Sequence, residues 1–443
     1  VLIDGDKAGA YQDHVSPYLK EHVKKLDLIY ISHIDNDHIE GVLQLLDDLV
    51  EWRIFNFKTK KGQSPTAPKS LEPPEVDAIW HNAFHDLFGL ESGQVAELLT
   101  ARMTIFGNSD PQNESGPVGT ALAATTQRFI GIEENLATGL LQAIRVSYRV
   151  SPRQLDIKLN PEFKGELVQV KQDMGKKSAT STIGGMSFFF LGPFEEDIIK
   201  LRDEWKKWLT KEAPKVADLA RDAKKDIEAL NGDEKDLITE SALRQSSALR
   251  DRLASEISLK VITDVEDLGD RSKVTTPNLA SIMVLVVEGG KTILLTGDGH
   301  ADDILKGLAF HEKLLDADGN SVATGKLHVN VLKVQHHGAE FNINKDFCER
   351  ITADHYIFCS NGLHDNPHLV VLQAIVEARG RSADGRDFTF WFNTSEPLDE
   401  EELKEAGYIK HMRKVAQQVK ELAAKNKHLK VRFMDESSFE LPF

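Results

Sequence analysis

Cysteine is nearly absent: 443 residues contain two, Cys348 and Cys359. Two cysteines cannot build a disulfide framework, which excludes the small stapled secreted folds and predicts a reducing, cytoplasmic setting. Cys359 ends the apolar run His355-Tyr356-Ile357-Phe358-Cys359 and is expected to be buried and inert. No apolar run reaches the length of a membrane span, and no charged-then-apolar signal segment opens the chain. No membrane partner is expected. An initiator Met is also lacking. The chain starts on Val1-Leu2-Ile3-Asp4-Gly5, already strand-like, so further residues, with or without a targeting segment, are expected upstream. Positive charge is in deficit, with 54 Lys and Arg against 70 Asp and Glu and a formal net charge of −16. A broad nucleic-acid-binding face usually carries a basic patch, so this acidity tilts toward small substrates. It does not decide the question, because bound metal ions supply local positive charge that formal counting ignores.

What is present is a soluble, globular composition, with 41% hydrophobic and 28% charged residues. The length suits one large domain with insertions or two to three ordinary ones. The chain is organised around Tyr30-Ile31-Ser32-His33-Ile34-Asp35-Asn36-Asp37-His38-Ile39-Glu40-Gly41. An apolar run of strand length, Asp27 to Ile31, precedes it. Apolar positions at helical spacing, Val42 to Val50, follow it. His33, Asp35, Asp37 and His38 therefore share a tight strand-to-helix loop, from which they can converge on two neighbouring cations. Imidazole and carboxylate are the usual donors for open catalytic zinc sites and for manganese or iron. The bland alternative is a solvated turn that happens to be rich in Asp and His.

The order of elements reads as α/β. A strand ending at Asp4, a short helix over 15–25, the strand, loop and helix just described, and a strand over Trp52 to Phe57 are expected. Residues 58–76 form a Pro-containing connector, followed by a strand over Val76 to Trp80. His81 and His85 have helical i, i+4 spacing but no Glu beside His81, so the metalloprotease pattern fails and a helix-surface or capping role is preferred. Helices are expected over Thr120–Glu134 and Leu136–Ile144, and a buried strand over Met186 to Gly192. The charged stretch from Glu195 to Ile257 should form long solvated helices, with Leu201, Trp205, Trp208 and Leu209 packing inward. Beyond residue 280 the chain turns strand-rich. A hairpin turns at Gly289-Gly290, and later strands end on Asp298, on His336-His337-Gly338 and on Ser360-Asn361-Gly362. The implied segments are a core first part over 1–60, a mainly helical insertion with some core strands over 61–270, a core second part over 271–395, and a C-terminal helix and strand over 396–443.

Asp4, the 33–38 cluster, Asp298 and the His336/His337 pair all stand at strand ends. One such Asp would by itself merely cap a helix, as Asp298 would the helix beginning near Asp302. Four together have the character of a two-metal hydrolase: His and carboxylate ligands on each ion, a bridging carboxylate and an open position.

The order Leu-Ile-Asp-Gly, Ser-His-x-Asp-x-Asp-His-x-x-Gly, Leu-Leu-Thr-Gly-Asp and Val-Leu-Lys-Val-x-His-His-Gly resembles the metallo-β-lactamase superfamily. Within it the chain resembles the branch found in ComEC-type DNA-uptake proteins and related stand-alone bacterial hydrolases. The motifs cover the first sixty residues and about 275 to 395. The resemblance implies an αββα sandwich with metals at one edge of its two sheets. It implies His33 and Asp35 on one ion, Asp37 and His38 on the other, Asp298 between them, and His337 or His336 as the late histidine. Asp4 would stand behind the ligand loop. Asn278, Ser281 and Lys333 would lie behind the ligands or at the substrate, and Ser360, Asn361 and Asn366 resemble the last family loop, which faces substrate. The implied ions are two divalent cations, zinc first and manganese as the alternative.

Two departures stand out. Asp35 occupies a position where most of the superfamily has a second His, a change shared by the ComEC-like branch. No His stands at the usual middle position, where Thr276-Pro277-Asn278-Leu279-Ala280-Ser281 resembles the ComEC-like replacement. The implied activity is hydrolysis by a metal-activated water that Asp37 and Asp298 orient, with His364 or His368 protonating the leaving group. A phosphodiester in nucleic acid or a nucleotide is the expected substrate. A small-molecule ester, amide or thioester is the enzyme alternative. The other alternative is the effector arm of a larger, defence-type assembly, bound to a protein partner or a second copy through helices 195–260.

Overall fold

The structure is a computed structural model and describes residues 1–82, 142–143, 145–147, 149–152, 154–171, 173–203, 268–381, 385–396 and 407–442. The chain divides into two compact units, one of Val1–Asn82, Tyr148–Leu201 and Val261–Phe443, the other of Ala83–Ser147 and Arg202–Lys260. The helix expected over Thr120–Glu134, most of that over Leu136–Ile144, and His85, Trp205, Trp208 and Leu209 lie outside the described residues. So does the expected partner surface beyond residue 203. Among the described residues no helix is long and apolar enough to cross a membrane.

The first unit is α/β. Strands β1 (Leu2–Ile3), β3 (Ile29–Tyr30), β5 (Ala78–Trp80) and β6 (Lys158–Leu159) form a parallel sheet in that order. β2 (Lys25–Leu26) pairs with β4 (Glu75–Val76) apart from it. The larger, mixed sheet runs β14 (Leu429–Phe433), β13 (Phe388–Phe392), β12 (Ile351–Phe358), β11 (Leu327–Lys333), β10 (Lys291–Leu295), β9 (Met283–Glu288), β8 (Met186–Gly192) and β7 (Thr180–Ile183). Its first five strands are parallel and the last three alternate. The turn between β9 and β10 pairs Glu288 with Lys291 and holds Gly289 and Gly290 at φ of 55° and 84°. Both residues of such a tight hairpin turn need positive φ, which glycine adopts without a Cβ clash.

An apolar cluster joins the two sheets: Leu28, Tyr30, Ala78 and Trp80 from the smaller, Phe188, Phe190, Val284, Val286 and Leu295 from the larger. Trp80 is fully buried, with ring centroids 5.1 Å from Phe188 and 4.8 Å from Phe190. A second cluster joins the larger sheet to helices Ala301–Phe310, Lys345–Arg350, Leu369–Arg381 and Gly407–Lys425. The expected segment 61–270 thus supplies β4 to β8, and the C-terminal segment supplies β14, an edge strand of the larger sheet.

The expected strand over Trp52 to Phe57 is instead the end of one long helix, Asn36–Lys60. Aromatic and β-branched residues favour strands, yet no Gly or Pro interrupts the chain between Val42 and Lys61. A helix once nucleated adds a hydrogen bond for each residue fixed, so it runs on until a breaker. It stops at Gly62, whose φ is +77°. Trp52 and Phe55, three apart, pack edge to face, and the Trp52 indole donates to the Ser70 carbonyl at 3.1 Å. The first part of the helix buries Ile39, Val42, Leu43, Leu45, Leu46 and Leu49.

The N-terminal end of this helix crosses the end of β1 at backbone contact. Gly5 N donates to the His38 carbonyl at 2.9 Å and Gly41 N to that of Asp6 at 2.8 Å. A Cβ on Gly41 would overlap the Gly5 carbonyl. Gly41→Ala is therefore expected to push β1 off the helix and lower the thermal midpoint by several degrees, by circular dichroism; an unchanged midpoint would contradict this packing. Trp80→Ala should cost about 3–5 kcal/mol in urea unfolding, the usual range for emptying a large aromatic site.

Candidate metal centre

Parallel strands of both sheets end at this place. β1 runs into Asp4, β3 into Ser32 and His33, β10 into Asp298, and β11 into His336 and His337. Open α/β sheets place their chemistry at the carboxyl ends of strands. Backbone bonds stitch the edges together: Ile282 N to the Ser32 carbonyl at 2.8 Å, and His336 N to the Gly297 carbonyl at 3.2 Å. Gly297, at φ +51°, allows the close approach, since a Cβ there would sit 3.0 Å from the Cβ atoms of Ser32 and Ser281. Asp298 does not cap the helix that follows. His300 is the cap, its Nδ1 accepting from Asp302 N at 3.1 Å.

The Asp298 carboxylate is buried and faces imidazole on all sides. Oδ1 is 3.4 Å from His38 Nε2. Oδ2 is 3.6 Å from His33 Nε2, 3.6 Å from His336 Nε2 and 3.7 Å from His337 Nε2. Asp37 Oδ2 lies 3.0 Å from His337 Nε2 and 3.9 Å from His38 Nε2. Asp35 Oδ2 lies 3.5 Å from His33 Nε2. Two groups bring their ligand atoms within 4.8 Å of one another: His33, His38 and Asp298, and Asp37, His38 and His337.

The other ring nitrogen of each histidine is held from behind. His38 Nδ1 meets Asp4 Oδ2 at 2.9 Å, and His336 Nδ1 meets Asn342 Oδ1 at 2.8 Å. His337 Nδ1 donates to the Cys359 carbonyl, and His33 Nδ1 lies 3.1 Å from Ser32 Oγ. A carbonyl or carboxylate can only accept, so Nδ1 carries the proton in His38 and His337, and Nε2 presents a lone pair when the ring is neutral. Asn342 is oriented by its own amide donating to the Asp298 carbonyl at 2.7 Å, which turns its oxygen to His336. Metal-binding histidines are held in this manner. The Nε2 atoms of His33 and His38 and Oδ1 of Asp298 are buried without a hydrogen-bond partner. Buried polar atoms are rarely left so, and bound divalent cations would satisfy all three. The donors are nitrogen and oxygen without sulfur, which suits zinc and manganese alike.

Electrostatics follow from this packing. Burial opposes the charged form of Asp298, but His38, His336, His337 and His33 outweigh it and hold the carboxyl well below its usual range. Burial likewise opposes ionised Asp37, and His38 and His337 overcome it. For His38, burial would remove the charge, yet Asp298, Asp4 and Asp37 raise its pKa well above the ordinary value. The adjacent pair splits. His337 is raised because Asp298 and Asp37 overcome burial, whereas His336 is lowered by burial that Asp298 does not fully offset.

The remaining expected residues fall at different depths. Asn278 places its amide 3.3 Å from His336 Nε2, and Ser281 Oγ accepts from Asp298 N at 3.1 Å. Lys333 Nζ is 3.9 Å from Asp298 Oδ1. Ser360 is buried next to Cys359, whose carbonyl holds His337. Asn361 and His364 are exposed, and Asn361 Oδ1 accepts from Leu363 N at 3.1 Å. Asn366 is buried, its Oδ1 3.0 Å from His368 Nδ1, while His368 Nε2 faces Glu340 at 3.5 Å rather than the Asp298 cluster. His81 follows β5 and is buried there, not on a helix surface or at a helix cap as expected, because the Asn160 side chain clamps its backbone at 2.9 and 2.8 Å. Cys359 is half-buried rather than buried.

Sequence reasoning missed Ser32, Asn342 and the Cys359 carbonyl. Ser32 N and Oγ bind the Asp4 carboxylate at 2.7 and 2.9 Å, and Oγ also lies 3.1 Å from His38 Nδ1. Its place beside His33 was a signal, but nothing marks Asn342. No protein-family model matches the chain, and no curated protein matches it.

Asp298→Ala should abolish stoichiometric binding of zinc or manganese, by elemental analysis and calorimetry, while Asp4→Asn should weaken it about 10–100-fold. Full metal content in the alanine variant would remove Asp298 from the centre. A separate expectation concerns His368, which burial, His411 and His336 hold down at about 4 against an ordinary 6.5. Above 6.5 both folded and unfolded chains are neutral here. As the pH falls toward 4 only the unfolded chain takes the proton, so stability is lost across that window. His368→Gln should flatten that part of the unfolding free-energy profile, and an unchanged slope would rule the contribution out.

Proposed function

We propose that this chain is a metal-dependent hydrolase of the metallo-β-lactamase superfamily, an αββα sandwich whose substrate is a phosphodiester in nucleic acid or a nucleotide. The observation that carries the reading is the set of four imidazole Nε2 atoms around the buried Asp298 carboxylate, with Asp35 and Asp37 beside them. The apolar cluster between the two sheets, with helices against the far face of the larger one, supports the sandwich.

His33 and Asp35 would hold one ion, Asp37, His38 and His337 the other. Asp298 would serve both, since Oδ1 faces His38 and Oδ2 faces His33. Bound there, divalent cations would acidify a water molecule and offset negative charge on a phosphoryl or acyl oxygen. The carboxylates of Asp37 and Asp298, both kept ionised, accept hydrogen bonds and orient the attacking water. His368 turns its Nε2 to Glu340 at 3.5 Å rather than to the Asp298 cluster, which unsuits it as a proton donor. Of the two expected donors this favours His364, exposed on the turn Leu363–Asp365. The phosphodiester follows from the resemblance to the ComEC-like branch, which is associated with nuclease activity. The formal charge of −16 favours the second reading, a small-molecule ester, amide or thioester.

The test is hydrolysis of single- and double-stranded DNA and RNA with manganese or zinc. The wild type should cleave, and Asp37→Ala should lower the rate about a hundredfold or more. No cleavage by protein shown to contain its ions would overturn the phosphodiester and move the reading to small esters, amides and thioesters.

A further inference from the structure

Lys333 stands beside the cluster with a chemistry that runs against it. It ends β11, its side chain is 13% exposed, and its ammonium lies 3.9 Å from Asp298 Oδ1. Its hydrogen bond goes to the Gly297 carbonyl at 3.3 Å, one residue before Asp298. Its own carbonyl accepts from Thr296 Oγ1 at 2.6 Å, so Lys333 touches three consecutive residues of the loop that carries Asp298. Asp4 and Asp37 also lie within its electrostatic reach. A cation beside cation ligands lowers their affinity for metal, and a buried ammonium is costly to desolvate.

Resting on the metal-centre reading, we propose that Lys333 is a built-in counter-charge: a positioning residue that holds the Asp298 loop and stands in for the missing positive charge until metal is bound. The imidazoles offset part of the repulsion among Asp4, Asp37 and Asp298 at the meeting edges of the sheets, and Lys333 adds a fixed positive charge to them. With metal bound, Lys333 is opposed by the ions and its contribution shrinks. The chain then accepts weaker metal binding in exchange for a site assembled beforehand. By linkage, whatever destabilises the metal-free state more than the loaded state must tighten metal binding.

The experiment compares wild type, Lys333→Met and Lys333→Arg, each stripped with chelator and then titrated with manganese or zinc. Melting temperature is followed with and without metal, and affinity is measured by calorimetry. K333M should melt well below wild type when stripped and close to it when loaded, and should bind the ion about tenfold more tightly. K333R, which keeps the charge, should stay near wild type in both. Equal destabilisation of stripped and loaded K333M, with unchanged affinity, would reduce Lys333 to packing and overturn the proposal. A raised KM with unchanged melting and affinity would make it a substrate contact and overturn it too. Were wild type to bind no divalent ion, the metal-centre reading would fail by itself. The counter-charge would then be judged on stripped protein, where K333M must still melt below both wild type and K333R.

Discussion

A carboxylate buried against four imidazoles is the constraint on which the rest of this molecule depends. Asp298 meets His33, His38, His336 and His337 at 3.4 to 3.7 Å, nearly out of contact with water. Such a group is tolerable only if the surrounding charge is supplied and kept in place. His33 and His38 come from one sheet's loop, and Asp298, His336 and His337 from the other's. The two sheets must therefore meet at a fixed edge. Trp80, Phe188 and Phe190 fill the space between them, and backbone bonds from Ile282 to Ser32 and from His336 to Gly297 tie the ends. The packing and the polar cluster each require the other.

The local backbone bears the cost of this convergence. Asp4, His336 and His337 adopt φ of 51°, 43° and 58°, in the left-handed region that side chains with a Cβ disfavour. Residues persist there when the surroundings over-determine them, and such positions gather at functional sites. Here the surroundings are visible: Ser32 and His38 on the Asp4 carboxylate, Asn342 on His336, and the Cys359 carbonyl on His337. Asp37 also sits in the first turn of the helix Asn36–Lys60, where the backbone dipole favours a negative charge.

Much of the arrangement was legible from residue order, because strand ends carry local signals. Apolar runs closing on Asp4, Ser32-His33, Asp298 and His336-His337 located the cluster, since a parallel sheet brings such ends to one edge. The Gly289-Gly290 hairpin was legible for the same local reason. Trp52 to Phe57 misled, because the strand preference of aromatic and β-branched residues competes with the propagation of a helix already begun, and the helix won. The extent of the core was obscured as well: β6 and β7 are short, and β5 pairs with β6, and β8 with β9, across long stretches of chain. Asn342 was invisible, since a single polar residue in a loop has no period and its role exists only opposite His336.

From residue order alone came the α/β class, the chemistry of the donors and their grouping at strand ends, all of which depend on neighbours in the chain. The division of labour within the His336-His337 pair could not come from there, because adjacent residues of one type are equivalent in a string. Only the packed sheets distinguish them. The turn after β11 aims one ring at Asn342 and Asn278 and the other at Cys359 and Asp37, so burial dominates the first and carboxylate charge the second. The same holds for Lys333, one lysine among many until β10 and β11 pair and set its ammonium beside Asp298.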